Sequence, residues 1–195
     1  MSPLIDGIEA LDIDFSSKIY DNFTMTTISH KTLKLIKNLL LALAIIGSVA
    51  WGKEPFLMKS PYGITVTLEL ALTRSQHTQG LSGLKSHQFK KTKGMLFVNP
   101  EMGIRRFWMP DTYFNLDIIF LDQDLKIVGI EKNVSAHPGT TEPPIIYKTK
   151  PYLAQYVLET KALAPFGKKL KINDQLKFSG PTSLSEIALS TRQKQ

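Results

Sequence analysis

The sequence predicts a mainly β fold: a jelly-roll-like sandwich or a partly closed barrel carrying one or two short helices. Several short segments between residues 64 and 178 place apolar residues at every second position or in brief apolar runs. Pro, Gly, Asn and Asp separate them, and few stretches read as helix. Period-two alternation is the mark of a strand with one buried face, and many such strands between polar turns favour a sandwich or barrel.

Residues 51–63 read as a linker into the domain, and 64–179 as the β domain itself. Ile64 to Leu72 alternates through Thr65, Thr67 and Glu69, a half-buried strand. His77 to Lys93 is polar and basic, with Gly80 and Gly83 interrupting it, and suits a short helix or turn followed by a loop. Gly94 to Val98 is a short apolar strand that Asn99-Pro100 stops. Phe107-Trp108-Met109 and Leu116 to Leu121 then read as the two arms of a hairpin around Pro110-Asp111 and Asn115. Leu125 to Ile130 alternates again after the Asp122-Gln123-Asp124 turn. Asn133 to Pro144 is a long irregular loop, of a length that is often functional. Tyr152 to Glu159 reads as a strand, Ala162 to Phe166 as one helical turn, and Leu170 to Phe178 as a last strand broken at Asn173-Asp174. Ser183-Leu184-Ser185-Glu186 has capping-box spacing and opens a short helix within a 180–195 tail.

The N-terminal part has a different logic. Lys31, Lys34 and Lys37 precede an apolar run from Leu39 to Ile46, and the small residues Gly47-Ser48-Val49-Ala50 follow. This order is that of a secretory signal spanning 25–50, with Met25 as its start. The expected location is therefore periplasmic or secreted, or membrane-anchored if the signal is not cleaved. Residues 1–24 are acidic and precede the signal, which reads as an over-extended start.

From Trp51 onward, 20 Lys and Arg stand against 12 Asp and Glu. Such a surface favours anionic partners, and outside the cytoplasm these are envelope polymers or a membrane surface rather than nucleic acid. With no cysteine there is no disulfide framework and no thiolate chemistry. The domain must rest on its core, which a mature chain of about 145 residues is long enough to bury.

Four segments carry a resemblance: Gln79-Gly80-Leu81-Ser82-Gly83, Gly94-Met95-Leu96-Phe97, Phe107-Trp108-Met109 continuing through Leu116 to Asp122, and Tyr156-Val157-Leu158-Glu159. In this order they resemble the bacterial and archaeal family known as domain of unknown function 192. The resemblance implies a mainly β, jelly-roll-like fold in proteins commonly exported or anchored, and it implies no established activity. Two positions depart from the family pattern. Pro110 and Asp111 replace a basic residue and Asn after Trp-Met, and Leu84, beside Lys85, stands where Arg often follows Gly-Leu.

Candidate sites follow from residue chemistry. Trp108, Asp111, Thr112, Tyr113 and Arg106 form an aromatic and polar cluster suited to a sugar ring, expected near the 133–144 loop. Aromatic side chains in strands are more often core, which is the plain alternative. Asp117 and Glu159 each sit in apolar strand sequence, and a hydrolytic acid/base pair would need them about 5–10 Å apart across a cleft. The plain alternative is that Arg105 or Arg106 satisfies one of them, or that backbone N–H groups do. Met95, Met102 and Met109 with His77, His87 and His137 lack compact ligand spacing, so no metal is expected, and no motif calls for a cofactor. The favoured expectation is non-catalytic binding of a carbohydrate or cell-envelope ligand. The alternatives are a glycan-directed hydrolase and a structural envelope protein, whose sign would be a large exposed apolar patch.

Overall fold

The structure is a computed structural model that describes residues 54–192 together with Lys34. The readings made for 1–24 and for the 25–50 signal, Lys34 apart, lie outside the described residues.

In chain order the elements are β1 (Phe56–Lys59), β2 (Thr65–Ala71), α1 (Arg74–Gln79), β3 (Lys93–Arg105), β4 (Leu116–Leu121), β5 (Ile127–Val134), β6 (Tyr152–Lys161), α2 (Pro165–Lys168), β7 (Lys177–Ser179) and α3 (Leu184–Thr191). The fold is mainly β. Its strands make one curled, half-barrel sheet in the order β5-β4-β6-β3-β2-β1-β7. β2 and β3 run parallel, and every other neighbouring pair is antiparallel. A parallel pair needs a crossover, and α1 with the 81–92 loop supplies it. Three short helices occur among the described residues where one or two were expected.

The two sheet faces carry separate cores. On one face Met58, Val66, Leu96, Ile119, Leu121 and Leu158 pack against Phe166 of α2 and against Leu184, Ile187 and Ala188 of α3. On the other, Phe97, Ile118, Phe120 and Val157 lie beneath loop residues Leu81, Phe89, Met109 and Phe114. β4 is buried along its whole length, between β5 and β6, which is why it reads as an unbroken apolar run rather than an alternating one. The helix ends are built by local chemistry. Thr73 with Gln76 and Ser183 with Glu186 each form a reciprocal capping box, the second of which the spacing had indicated.

Four features depart from the sequence reading. Phe56–Lys59, inside the expected linker, forms β1, pairing with both β2 and β7. The supposed hairpin is not one: β6 lies between β3 and β4, and Trp108 makes only an isolated bridge to Lys148. Asn99-Pro100 does not end the strand, because β3 bulges there and continues to Arg105. The last strand keeps only Lys177–Ser179, with Gln175 in a single bridge to Lys126.

Candidate functional site

The β3 bulge opens the site. Val98 pairs with Tyr156 and the register resumes at Gly103 with Ala154, so Asn99 to Met102 stand opposite Gln155 alone. A buried amide clamp holds this distortion. Asn99 Nδ2 donates to the Gln155 carbonyl at 2.8 Å, and Gln155 Nε2 donates to the carbonyls of Asn99 at 3.2 Å and Pro100 at 3.3 Å. Bulges re-aim the side chains that follow them. Here Arg105, Arg106 and Trp108 follow, and all three line a cleft of about 460 Å³.

The opposite wall is α1, which contributes Arg74, His77, Thr78 and Gln79, followed by Gly80 and Leu81. Phe97, Met109 and Thr112 line it further in, and Glu159 is the one residue of β6 that reaches it. Trp108 is 55% exposed at the rim. The His77 ring donates from Nε2 to the Ala71 carbonyl at 2.9 Å and meets Phe97 edge-on at 5.5 Å. Burial lowers its pKa, and nearby Arg105 lowers it further. Arg105 donates to the carbonyls of Ala154 and Glu101, and burial lowers its pKa as well. An arginine in that setting stays charged.

Glu159 is the unusual member. It is 4% exposed and pairs across the sheet with Met95 and Ile118. No group among the described residues hydrogen-bonds its carboxyl. Burial pushes its pKa up to about 8. At neutral pH the group is therefore mainly the neutral acid.

The residues singled out from sequence divide cleanly. Trp108, Thr112 and Arg106 line the cleft; Asp111 and Tyr113 do not. Asp111 has a left-handed φ of 51°, a conformation Asp and Asn tolerate better than most residues. Its N–H donates to the Gly139 carbonyl at 2.6 Å, and its Oδ1 accepts from Gly139 N–H at 3.2 Å. Its own carbonyl accepts from Gly83 N–H at 2.8 Å. Asp111 is thus a three-way staple between loops, and the acceptor that an Asn would offer is retained. Thr112 reaches the cleft but is also structural: its hydroxyl donates to the Met109 carbonyl and accepts from His137 N–H, both at 3.0 Å. The Tyr113 ring lies beneath the Lys85 ammonium, 3.1 Å from the centroid. No residue of the 133–144 loop lines the cleft; that loop braces the 109–112 turn from behind.

Asp117 and Glu159 are not brought together. Asp117 pairs with Thr160, and Ile118 with Glu159, so the two carboxyls leave opposite faces of the sheet. Asp117 Oδ1 accepts from Asn133 N–H at 2.8 Å. Burial raises its pKa, while the Asn133 bond and Lys132 lower it. Sequence reasoning missed Arg74, His77, Asn99 and Arg105 as cleft residues. The bulge that assembles them had no signal beyond Asn99-Pro100 itself. Among the described residues no cluster of three or more His, Asp or Glu side chains is placed to hold a metal ion.

The comparisons bear on this same region. The family model for DUF192, described as uncharacterized ACR, matches residues 58–178. No curated protein matches the chain. A crystal structure from Sinorhizobium meliloti 1021, described provisionally as a transcription regulator, is 32% identical with a TM-score of 0.52; the match covers 68% of this chain and 98% of that one. A protein of unknown function from Novosphingobium aromaticivorans DSM 12444 is 24% identical with a TM-score of 0.50, covering 67% of this chain and 89% of that one, and it shows the fold alone. The segments Gln79–Leu81, Phe97, Phe107–Met109 and Glu159, far apart in sequence, meet in the cleft.

Proposed function

The chain belongs to the uncharacterised domain of unknown function 192 family, and we propose that its cleft is a non-catalytic binding site for an acidic saccharide of the cell envelope. The observation that carries this reading is a half-exposed Trp108 on the rim of a cleft that Arg74, Arg105 and Arg106 also line. An exposed indole offers a flat apolar face to a sugar ring at little conformational cost. Guanidinium groups hold carboxylate or phosphate in fixed planar geometry. The cleft volume falls in the range typical of small-ligand sites.

The binding reading is preferred to hydrolysis because Glu159 is the only Asp or Glu among the described residues that line the cleft. Glycoside hydrolysis ordinarily uses two carboxyl groups flanking one bond, and Asp117 belongs to the other face. We place the protein outside the cytoplasm on the order of charged, apolar and small residues from Lys31 to Ala50. The test is a glycan array and a peptidoglycan pull-down with the full chain and its Trp108→Ala variant. Saturable binding to acidic saccharides that weakens at least tenfold in the variant is expected, corresponding to about 1.4 kcal/mol. Absence of any Trp108-dependent binding ends the proposal.

A further inference from the structure

Glu159 is only 4% exposed, yet the one fully buried side-chain polar atom left unpartnered among the described residues is Thr160 Oγ1, so the Glu159 carboxyl keeps its opening into the cleft. Glu159 has no partner among the described residues, and its backbone is held on both sides by β3 and β4. Its outlet is the cleft floor. There the apolar side chains of Leu81, Phe97 and Met109 line the same space. The geometry thus combines one isolated carboxyl with an apolar lining.

We propose that this floor recognises the acetamido group of an N-acetylated acidic saccharide, with Glu159 as the specificity-determining residue. The inference rests on the saccharide reading above and deepens it. A protonated carboxyl offers one O–H donor and one carbonyl acceptor. An acetamido group offers the complementary C=O and N–H, with a methyl that the apolar floor accommodates. A hydroxyl in its place supplies no methyl and leaves that floor unfilled. The arginines that line the cleft, Arg105 and Arg106 after the bulge and Arg74 on α1, take the acidic substituent.

The protonation state of Glu159 matters because the ionised form has lost its donor. Burial holds its pKa at about 8, so the donor is present at neutral pH and disappears above that value. The charged or titratable groups that line the cleft are Arg74 and His77 from α1, and Arg105 and Arg106 from the chain after the bulge. From β4, which flanks Glu159, the cross-strand neighbour is Ile118, and from β3 it is Met95. On β6 itself, Lys161 is turned to Ser86, donating to its carbonyl at 2.8 Å and its hydroxyl at 2.6 Å. His77 titrates below its ordinary range, and the arginines do not titrate near pH 8. A change in affinity at about pH 8 therefore reports on Glu159.

The experiment is isothermal titration of the full chain with a carboxylate-bearing N-acetylhexosamine oligosaccharide. Its analogue with hydroxyl in place of acetamido, and an N-acetylated acidic peptide of equal charge, serve as comparisons. Wild type, Glu159→Gln, Glu159→Leu and Trp108→Ala are compared at pH 6.5 and pH 9, with thermal melting to verify folding. The N-acetylated saccharide is expected to bind wild type at least tenfold tighter than the hydroxyl analogue at pH 6.5. That preference should vanish in Glu159→Leu and persist in Glu159→Gln, whose amide keeps a donor and an acceptor at both pH values. Wild-type affinity should fall between pH 6.5 and 9 while that of Glu159→Gln stays flat. Trp108-dependent binding with no acetamido preference would overturn this inference and leave the saccharide reading standing. Loss of all Trp108-dependent binding would overturn both, and equal or tighter binding of the peptide would overturn the saccharide class.

Discussion

Replacing Glu159 by Gln should flatten the pH dependence of stability across the neutral range. The carboxyl is 4% exposed, has no compensating partner, and has a pKa of about 8 against an ordinary 4.5. The sign follows from proton counting. Between pH 4.5 and 8 the folded state holds a proton that the unfolded state has released, so stability falls as pH rises. The contribution is fully present below pH 4.5 and is lost by the time pH exceeds about 8. At 1.36 kcal/mol for each pH unit, the loss is about 3 kcal/mol by pH 7 and about 5 kcal/mol at the upper end. Gln keeps the shape and never ionises. Its stability relative to wild type should therefore be nearly constant below pH 5 and rise by about those amounts at pH 7 and pH 9. Urea unfolding followed by circular dichroism, repeated from pH 4.5 to 9, measures this as a difference between two curves. Taking the difference cancels the other titrating groups, including Asp117. Parallel curves for the two proteins across that range would refute the buried, neutral carboxyl.

Two further outcomes test the scaffold around the cleft. Thr112→Val removes a hydroxyl that joins the Met109 carbonyl to His137 N–H; thermal melts should show a loss of about 1–3 kcal/mol, with Thr112→Ser recovering most of it. Gly129→Ala drives a methyl into the Tyr152 ring, which packs against Phe120 at 4.4 Å; denaturant unfolding should show a loss of about 1–3 kcal/mol.

The parts of this fold legible in the sequence are those fixed by local chemistry. β2 alternates because Val66 and Leu68 are buried while Thr65, Thr67 and Glu69 are exposed, and Ser183 and Glu186 announce a helix start through spacing alone. β4 was recognisable as buried strand, but its partner was not. Phe107–Met109 and Leu116–Leu121 lie a short turn apart, and nothing local says that β6, some 30 residues further on, inserts between β3 and β4. The site suffered the same limit. Trp108, Thr112 and Glu159 stood out by residue type, whereas Arg74, His77 and Asn99 gain meaning only from the bulge and the crossover. Asp111 and Tyr113 looked like ligand contacts because polar and aromatic residues at a turn are chemically ambiguous. Here they hold loops together instead. Asp117 and Glu159 were plausible partners until register put them on opposite faces, a distinction of one residue in pairing.

Saccharide binding in the cleft can be watched by an NMR titration that follows the Trp108 indole N–H and the Arg105 and Arg106 Nε–H signals as an acidic N-acetylated oligosaccharide is added. All three should shift together and saturate with one dissociation constant, and Trp108→Ala should weaken the arginine response at least tenfold. Signals that stay unmoved at millimolar saccharide, or arginine shifts indifferent to Trp108, would contradict saccharide binding there.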